Sequence, residues 1–120
     1  MANILVLDDV EDAAVLISKI LSRQGYTVHI FSNGEDAIRH GVTEKIDLAI
    51  LDIKLRKMSG IEVLAELKRL QPEMKALILT GYPTAETVQD ALSFGANDYC
   101  VKPIDKDDLE NRVHQVLQDN

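Results

Sequence analysis

The chain has 120 residues, 46% hydrophobic and 28% charged, the size and balance of one globular domain rather than of a disordered or fibrous chain. A formal net charge of −7 and a pI near 4.8 repel nucleic-acid phosphate and anionic membrane surfaces, so neither is expected as a direct partner. The lone Cys100 allows no internal disulfide, no apolar run reaches membrane-spanning length, and the start MANILVLDDV has no basic signal-peptide segment; the expectation is one cytoplasmic domain over 1–120.

In chain order, Ile4 to Leu7 is a short aliphatic run that ends at Asp8-Asp9. Continuous apolar runs suit strands buried on both faces of a parallel sheet. A helical period follows, with Ala13, Leu16, Ile17, Ile20 and Leu21 on one stripe and Gly25 as its stop. Thr27 to Phe31 alternates more and predicts an edge strand. Ser32 and Asn33 are candidate caps for a short helix through Ile38.

Leu48 to Leu51 is the third run and ends at Asp52. Ile61, Leu64, Leu67 and Lys68 mark a helix that stops before Pro72. Ala76 to Leu79 is the fourth run, ending at Thr80, and Thr84 to Phe94 predicts a helix closed by Gly95. Asp98 to Val101 is the fifth strand, ending at Lys102-Pro103. The last helix opens on Asp105 as N-cap, with Asp108 in the capping-box position and Ile104 and Leu109 spaced as a hydrophobic staple. Leu109, Val113 and Val116 carry its apolar stripe.

Five strand–helix repeats predict a parallel sheet with helices on both faces. Ligands of such sheets bind outside the carboxyl ends of the strands. Asp8, Asp9, Asp52, Thr80 and Lys102 all stand at strand ends. Singly, each has an ordinary explanation as a cap, turn former or solvated lysine. Together they would gather three carboxylates, a hydroxyl and an ammonium in one pocket.

Two carboxylates about 4 Å apart repel by roughly 4 kcal/mol at an effective dielectric near 20, against a whole-domain stability of about 5–15 kcal/mol. One lysine does not offset three acids. Oxygen ligands with open positions suit Mg²⁺, which keeps waters and binds phosphate. His29, His40 and His114 are scattered along the chain, and no Cys/His cluster for zinc is expected. A cation beside a carboxylate, a hydroxyl and a lysine is a phosphoryl-transfer set, with an aspartate able to act as nucleophile.

These residues resemble the receiver family of two-component response regulators. The matching elements are the acids of ILVLDDV, the acceptor of LAILDIKL, Thr80 in LILTGY, Tyr99 in NDYCVKP, and Lys102-Pro103. The resemblance spans essentially the whole chain. It implies a doubly wound five-stranded parallel sheet in the flavodoxin-like order 2-1-3-4-5. It implies that Asp52 takes a phosphoryl group from a histidine kinase or a histidine phosphotransfer protein. Asp9, Asp52 and the carbonyl of Lys54 would hold Mg²⁺, with Asp8 acting largely through metal-bound water. Lys102 and Thr80 would contact the phosphoryl group, and a cis peptide would precede Pro103. Thr80 and Tyr99 would then shift and alter partner binding on the face built from the fourth helix, fifth strand and fifth helix. Output would pass to a downstream protein or to a C-terminal effector domain beyond this sequence, and a homodimer through the same face is compatible with the family.

Two stretches depart from the common pattern. Leu55-Arg56 stands where many members have Met-Pro, which should loosen that loop. Lys54 and Tyr82 lie two residues after Asp52 and Thr80, positions expected to shield or place the hydrolytic water, while Gly81 leaves the acceptor accessible. Two other readings compete. An aspartyl phosphatase of the haloacid-dehalogenase type carries its nucleophile in Asp-x-Asp after the first strand, which Asp8-Asp9-Val10 does not match. An unphosphorylated receiver-like interaction module would be expected to lack an acceptor, metal or lysine residue, and none is missing here.

Overall fold

The computed structural model describes residues 2–55 and 57–118. The five apolar runs form β1 (Asn3–Leu7), β2 (Thr27–Phe31), β3 (Leu48–Leu51), β4 (Lys75–Thr80) and β5 (Asp98–Val101). The intervening periods form α1 (Glu11–Arg23), α2 (Gly34–Thr43), α3 (Gly60–Leu70), α4 (Ala85–Ser93) and α5 (Lys106–Gln118). All neighbouring strands pair in parallel, in the order β2-β1-β3-β4-β5.

The two-residue period of each strand divides its side chains between two cores. Leu5, Leu7, Ala49, Leu51, Ala76 and Ile78 face α2, α3 and α4, where they meet Ala37, Val63, Leu64, Leu67 and Ala91. Ile4, Val6, Leu48, Ile50, Leu77 and Leu79 face α1 and α5, where they meet Ala14, Ile17, Leu21, Leu109, Val113 and Val116. Burial on both faces explains why β1, β3 and β4 read as unbroken aliphatic runs. β2 lies at an edge and is only partly covered, as its alternation predicted.

Local chemistry sets most boundaries. Asn33 caps α2 by accepting from the Asp36 amide. Thr84 and Thr87 form a reciprocal capping box at the start of α4. Gly25 and Gly95 follow α1 and α4 with φ of 94° and 97°, a left-handed conformation that suits glycine.

Three expectations need correction. Leu16 is 60% exposed, because the buried stripe of α1 runs through Ala14, Ile17 and Leu21. α2 continues past Ile38 to Thr43, and its buried Gly41 lets Leu67 of α3 approach closely. At α5 the Asp108 amide donates to Asp105 as expected, but the Asp108 carboxylate accepts from Arg112.

Candidate functional site

The carboxyl ends of β1, β3, β4 and β5 bring the strand-end residues together. Just past the strands the ladder continues: the Asp8 amide donates to the Phe31 carbonyl at 3.1 Å and the Asp52 amide to Leu7 at 3.0 Å. The Lys102 amide donates to the Thr80 carbonyl at 2.8 Å. Sheet hydrogen bonds therefore hold the backbones of Asp8, Asp52, Thr80 and Lys102 on rigid supports.

Carboxylate oxygens of Asp8, Asp9 and Asp52 lie within 4.8 Å of one another. Lys102 reaches across, with Nζ 2.6 Å from Asp8 Oδ2 and 3.0 Å from Asp52 Oδ2. The second oxygens of these two acids accept backbone amides, Val10 N–H at 2.9 Å and Lys54 N–H at 3.2 Å. Among the described residues the buried polar or charged side chains are Asp8, Asp52 and Thr80. A fold that buries polar groups mainly in one pocket concentrates its electrostatic cost there. Burial pulls the Lys102 ammonium toward its neutral form, but the hydrogen bonds and charges of Asp8 and Asp52 outweigh that effect and raise its pKa above the usual lysine value.

The charge count leaves the pocket anionic: three carboxylates face one ammonium. The donor set is all oxygen and hard, with Asp9 half-exposed and two buried acids beside it. That chemistry fits a divalent cation such as Mg²⁺ and disfavours a soft metal. A cavity of about 440 Å³, lined in part by Asp9, Asn33, Asp36, Leu55, Lys57 and Met58, opens beside the acids.

Thr80 is buried, and its Oγ1 accepts from the Tyr82 amide at 3.2 Å. Tyr99 stands half-buried on β5, packed on the core under α4, with its hydroxyl 3.4 Å from Thr87 Oγ1. The Lys54 ammonium lies 4.2 Å above the Tyr82 ring centroid. A side chain at Gly81 would meet nothing within 4 Å, in keeping with the open access its sequence suggested. The Lys102–Pro103 peptide is cis. Of the departing pair Leu55-Arg56, Arg56 lies outside the described residues.

Two features escaped sequence reading. Thr87 joins α4 to Tyr99, and its local spacing marks it only as the capping partner of Thr84. Gly60 starts α3, where an added Cβ would lie 2.0 Å from the Asp52 carbonyl oxygen. A glycine in the first turn, directly after the Ser59 cap, was the available signal, because helix propensity alone disfavours it.

The fold and the pocket define a flavodoxin-like α/β domain with an acid-rich site, bridged by one lysine, at the carboxyl ends of its strands. A family model described as the response regulator receiver domain matches residues 4–114, and the chain belongs to that family. It is 35% identical over 115 residues to the transcriptional regulatory protein ZraR of Escherichia coli, covering 96% of this chain and 26% of ZraR. It thus spans about a quarter of the length of the ZraR regulators it matches. A CheY-like receiver domain protein from Methanospirillum hungatei superimposes with a TM-score of 0.95 at 32% identity, covering 98% of this chain and 94% of that one. A response regulator from Burkholderia pseudomallei, solved with a phosphorylated aspartic acid, a calcium ion and citrate, gives a TM-score of 0.89 at 33% identity, covering 100% of this chain and 68% of that one.

Proposed function

We propose that residues 1–120 act as one phosphorylation-dependent switch and that Asp52 is its phosphoacceptor. The observation that carries this reading is the Lys102 ammonium bridging Asp8 and Asp52 beside Asp9, in a pocket that holds the buried polar groups. The phosphorylated aspartic acid and divalent cation of the Burkholderia protein lend it support.

In the reaction, an Asp52 carboxylate oxygen attacks the phosphorus of a phosphohistidine on a histidine kinase or histidine phosphotransfer protein. The P–O bond forms as the P–N bond breaks, and the imidazole leaves with the electron pair. Asp9, Asp52 and the Lys54 carbonyl are the proposed protein ligands of Mg²⁺, with Asp8 acting through water. When bound, the ion neutralises charge on the transferring oxygens. Lys102 exchanges its contact with the Asp52 carboxylate for a phosphoryl oxygen, and Thr80 donates its hydroxyl to another. The domain promotes its own phosphorylation and hydrolysis and turns over no separate substrate.

The added charge pulls Thr80 toward the phosphoryl group and releases the Tyr82 amide it now accepts from. Tyr99, tied to α4 through Thr87, follows, and the surface of α4, β5 and α5 changes its partner preference. That surface would meet a downstream protein, a second copy or a C-terminal effector domain of a longer cytoplasmic regulator. The paired Lys54 and Tyr82 side chains are the proposed cover over the acceptor. An exposed cation–π contact is worth only about 0.5–1 kcal/mol, so the cover opens readily and tunes phosphoryl lifetime rather than blocking entry.

Acetyl phosphate or phosphoramidate with Mg²⁺ should add one phosphoryl group, seen by intact mass, and Asp52→Asn should abolish it. No aspartyl phosphate under these conditions would favour the unphosphorylated interaction module. Lys54→Ala and Tyr82→Ala should each change the dephosphorylation half-life, and unchanged half-lives in both would remove the cover from the mechanism.

A further inference from the structure

The three histidines are scattered in sequence, yet the fold brings two of them together. His29 lies on the edge strand β2 and His40 on α2, and their ring centroids are 4.8 Å apart at a tilt of 43°. Phe31, two residues along the same strand, also packs against His40, with centroids 5.1 Å apart at a tilt of 48°. His29 is exposed and His40 half-buried, so the pair borders solvent.

The separation suits a shared ion. A metal–nitrogen bond of about 2.0–2.1 Å puts an imidazole centroid about 3.2 Å from the metal. Two rings on neighbouring coordination positions, about 90–110° apart, then hold their centroids about 4.5–5.2 Å apart. Desolvation of His40 and the charge of His29 both lower the His40 pKa, against an opposing pull from Glu44. Phe31 limits the orientations open to His40, which reduces the ordering cost of binding.

We propose that His29 and His40 form a surface site for a borderline divalent transition ion of the Zn²⁺, Ni²⁺ or Cu²⁺ class, with water completing the coordination. Ligand chemistry separates it from the acid pocket: imidazole nitrogen selects these ions, whereas carboxylate oxygens select Mg²⁺. An ion there fastens the edge strand to α2, whose first turn borders the cavity beside Asp9. The inference is independent of whether Asp52 is phosphorylated.

Zn²⁺ titration of the intact chain by calorimetry, in saturating Mg²⁺ to occupy the acids, tests it. One Zn²⁺ per chain is expected at neutral pH. His29→Gln and His40→Gln should each weaken binding at least tenfold, while His114→Gln should not. Circular dichroism of each variant checks that the fold is intact, and the Zn²⁺-induced rise in Tm should disappear with the binding. Absence of Zn²⁺ binding in the wild type, or binding that survives both substitutions, overturns the site; in the second case the acids have taken the ion.

Discussion

Lys102 Nζ stands 3.0 Å from Asp52 Oδ2, joining two residues 50 positions apart in the chain. The same nitrogen holds Asp8 at 2.6 Å, so one ammonium serves two buried carboxylates. Asp9 shares the pocket, and its charge adds to theirs.

The first prediction concerns that imbalance. Asp9→Asn removes repulsion without breaking a lysine contact, and should stabilise the protein in chelator by about 1 kcal/mol, a Tm rise of roughly 4 °C. Asp52→Asn should also stabilise, by less, because it gives up a contact with Lys102. Mg²⁺ should raise Tm in the wild type and much less in either variant. Thermal melts with and without Mg²⁺ check this, and lower melting points for both variants in chelator would contradict the clustered-acid reading.

Lys102→Ala should act in the opposite sense. It leaves Asp8 and Asp52 with no cation in a largely buried pocket. The loss should be about 2 kcal/mol, below the roughly 3–5 kcal/mol of a fully buried pair because the lysine side chain is 25% exposed. Urea unfolding in chelator measures it, and Mg²⁺ should recover part of the loss.

Gly60→Ala tests the support under the acceptor. The new Cβ would overlap the Asp52 carbonyl, so either α3 or the loop carrying Asp52 must shift. A destabilisation of about 1–3 kcal/mol and slower acetyl phosphate labelling are expected together. Gly81→Ala, whose added methyl meets nothing, should fold as well as the wild type.

Gln71 is a clamp remote from the site. Its side-chain oxygen accepts the Ile46 amide at 2.8 Å, and its nitrogen donates to the carbonyls of Gly41 and Glu44 at 2.8 and 2.7 Å. Gln71→Ala should cost about 2 kcal/mol, read as a lower urea midpoint at constant slope. Phosphoryl uptake should be unchanged.

Cys100 reports on the core behind β5. Burial pushes its thiol pKa up to about 11, helped by the nearby charge of Asp98. The folded protein therefore holds the thiol proton more tightly than the unfolded chain, whose thiol keeps its ordinary value of 9.0. This contribution to stability is complete below the unfolded value and is lost as pH rises toward 11. A thiol reagent at pH 8 should react at least tenfold more slowly with the native protein than in urea, and Cys100→Ala should flatten the alkaline fall in stability.

The sequence determined β1, β3 and β4 most directly, because a strand buried on both faces reads as an unbroken aliphatic run. Leu48–Leu51 and Asp98–Val101 could be read to the residue, and with them the positions of Asp52 and Lys102. Helix caps were legible where the cap is local, as at Asn33 and Asp105. The tertiary structure alone decided which atoms meet. It turned Leu16 to solvent, set Gly60 against the backbone of Asp52, linked Tyr99 to Thr87, and put His29 beside His40. Periodicity records which face of an element is buried. The partner across the gap depends on how the crossovers stack helices on the sheet, and contacts between residues distant in the chain leave no trace in local spacing.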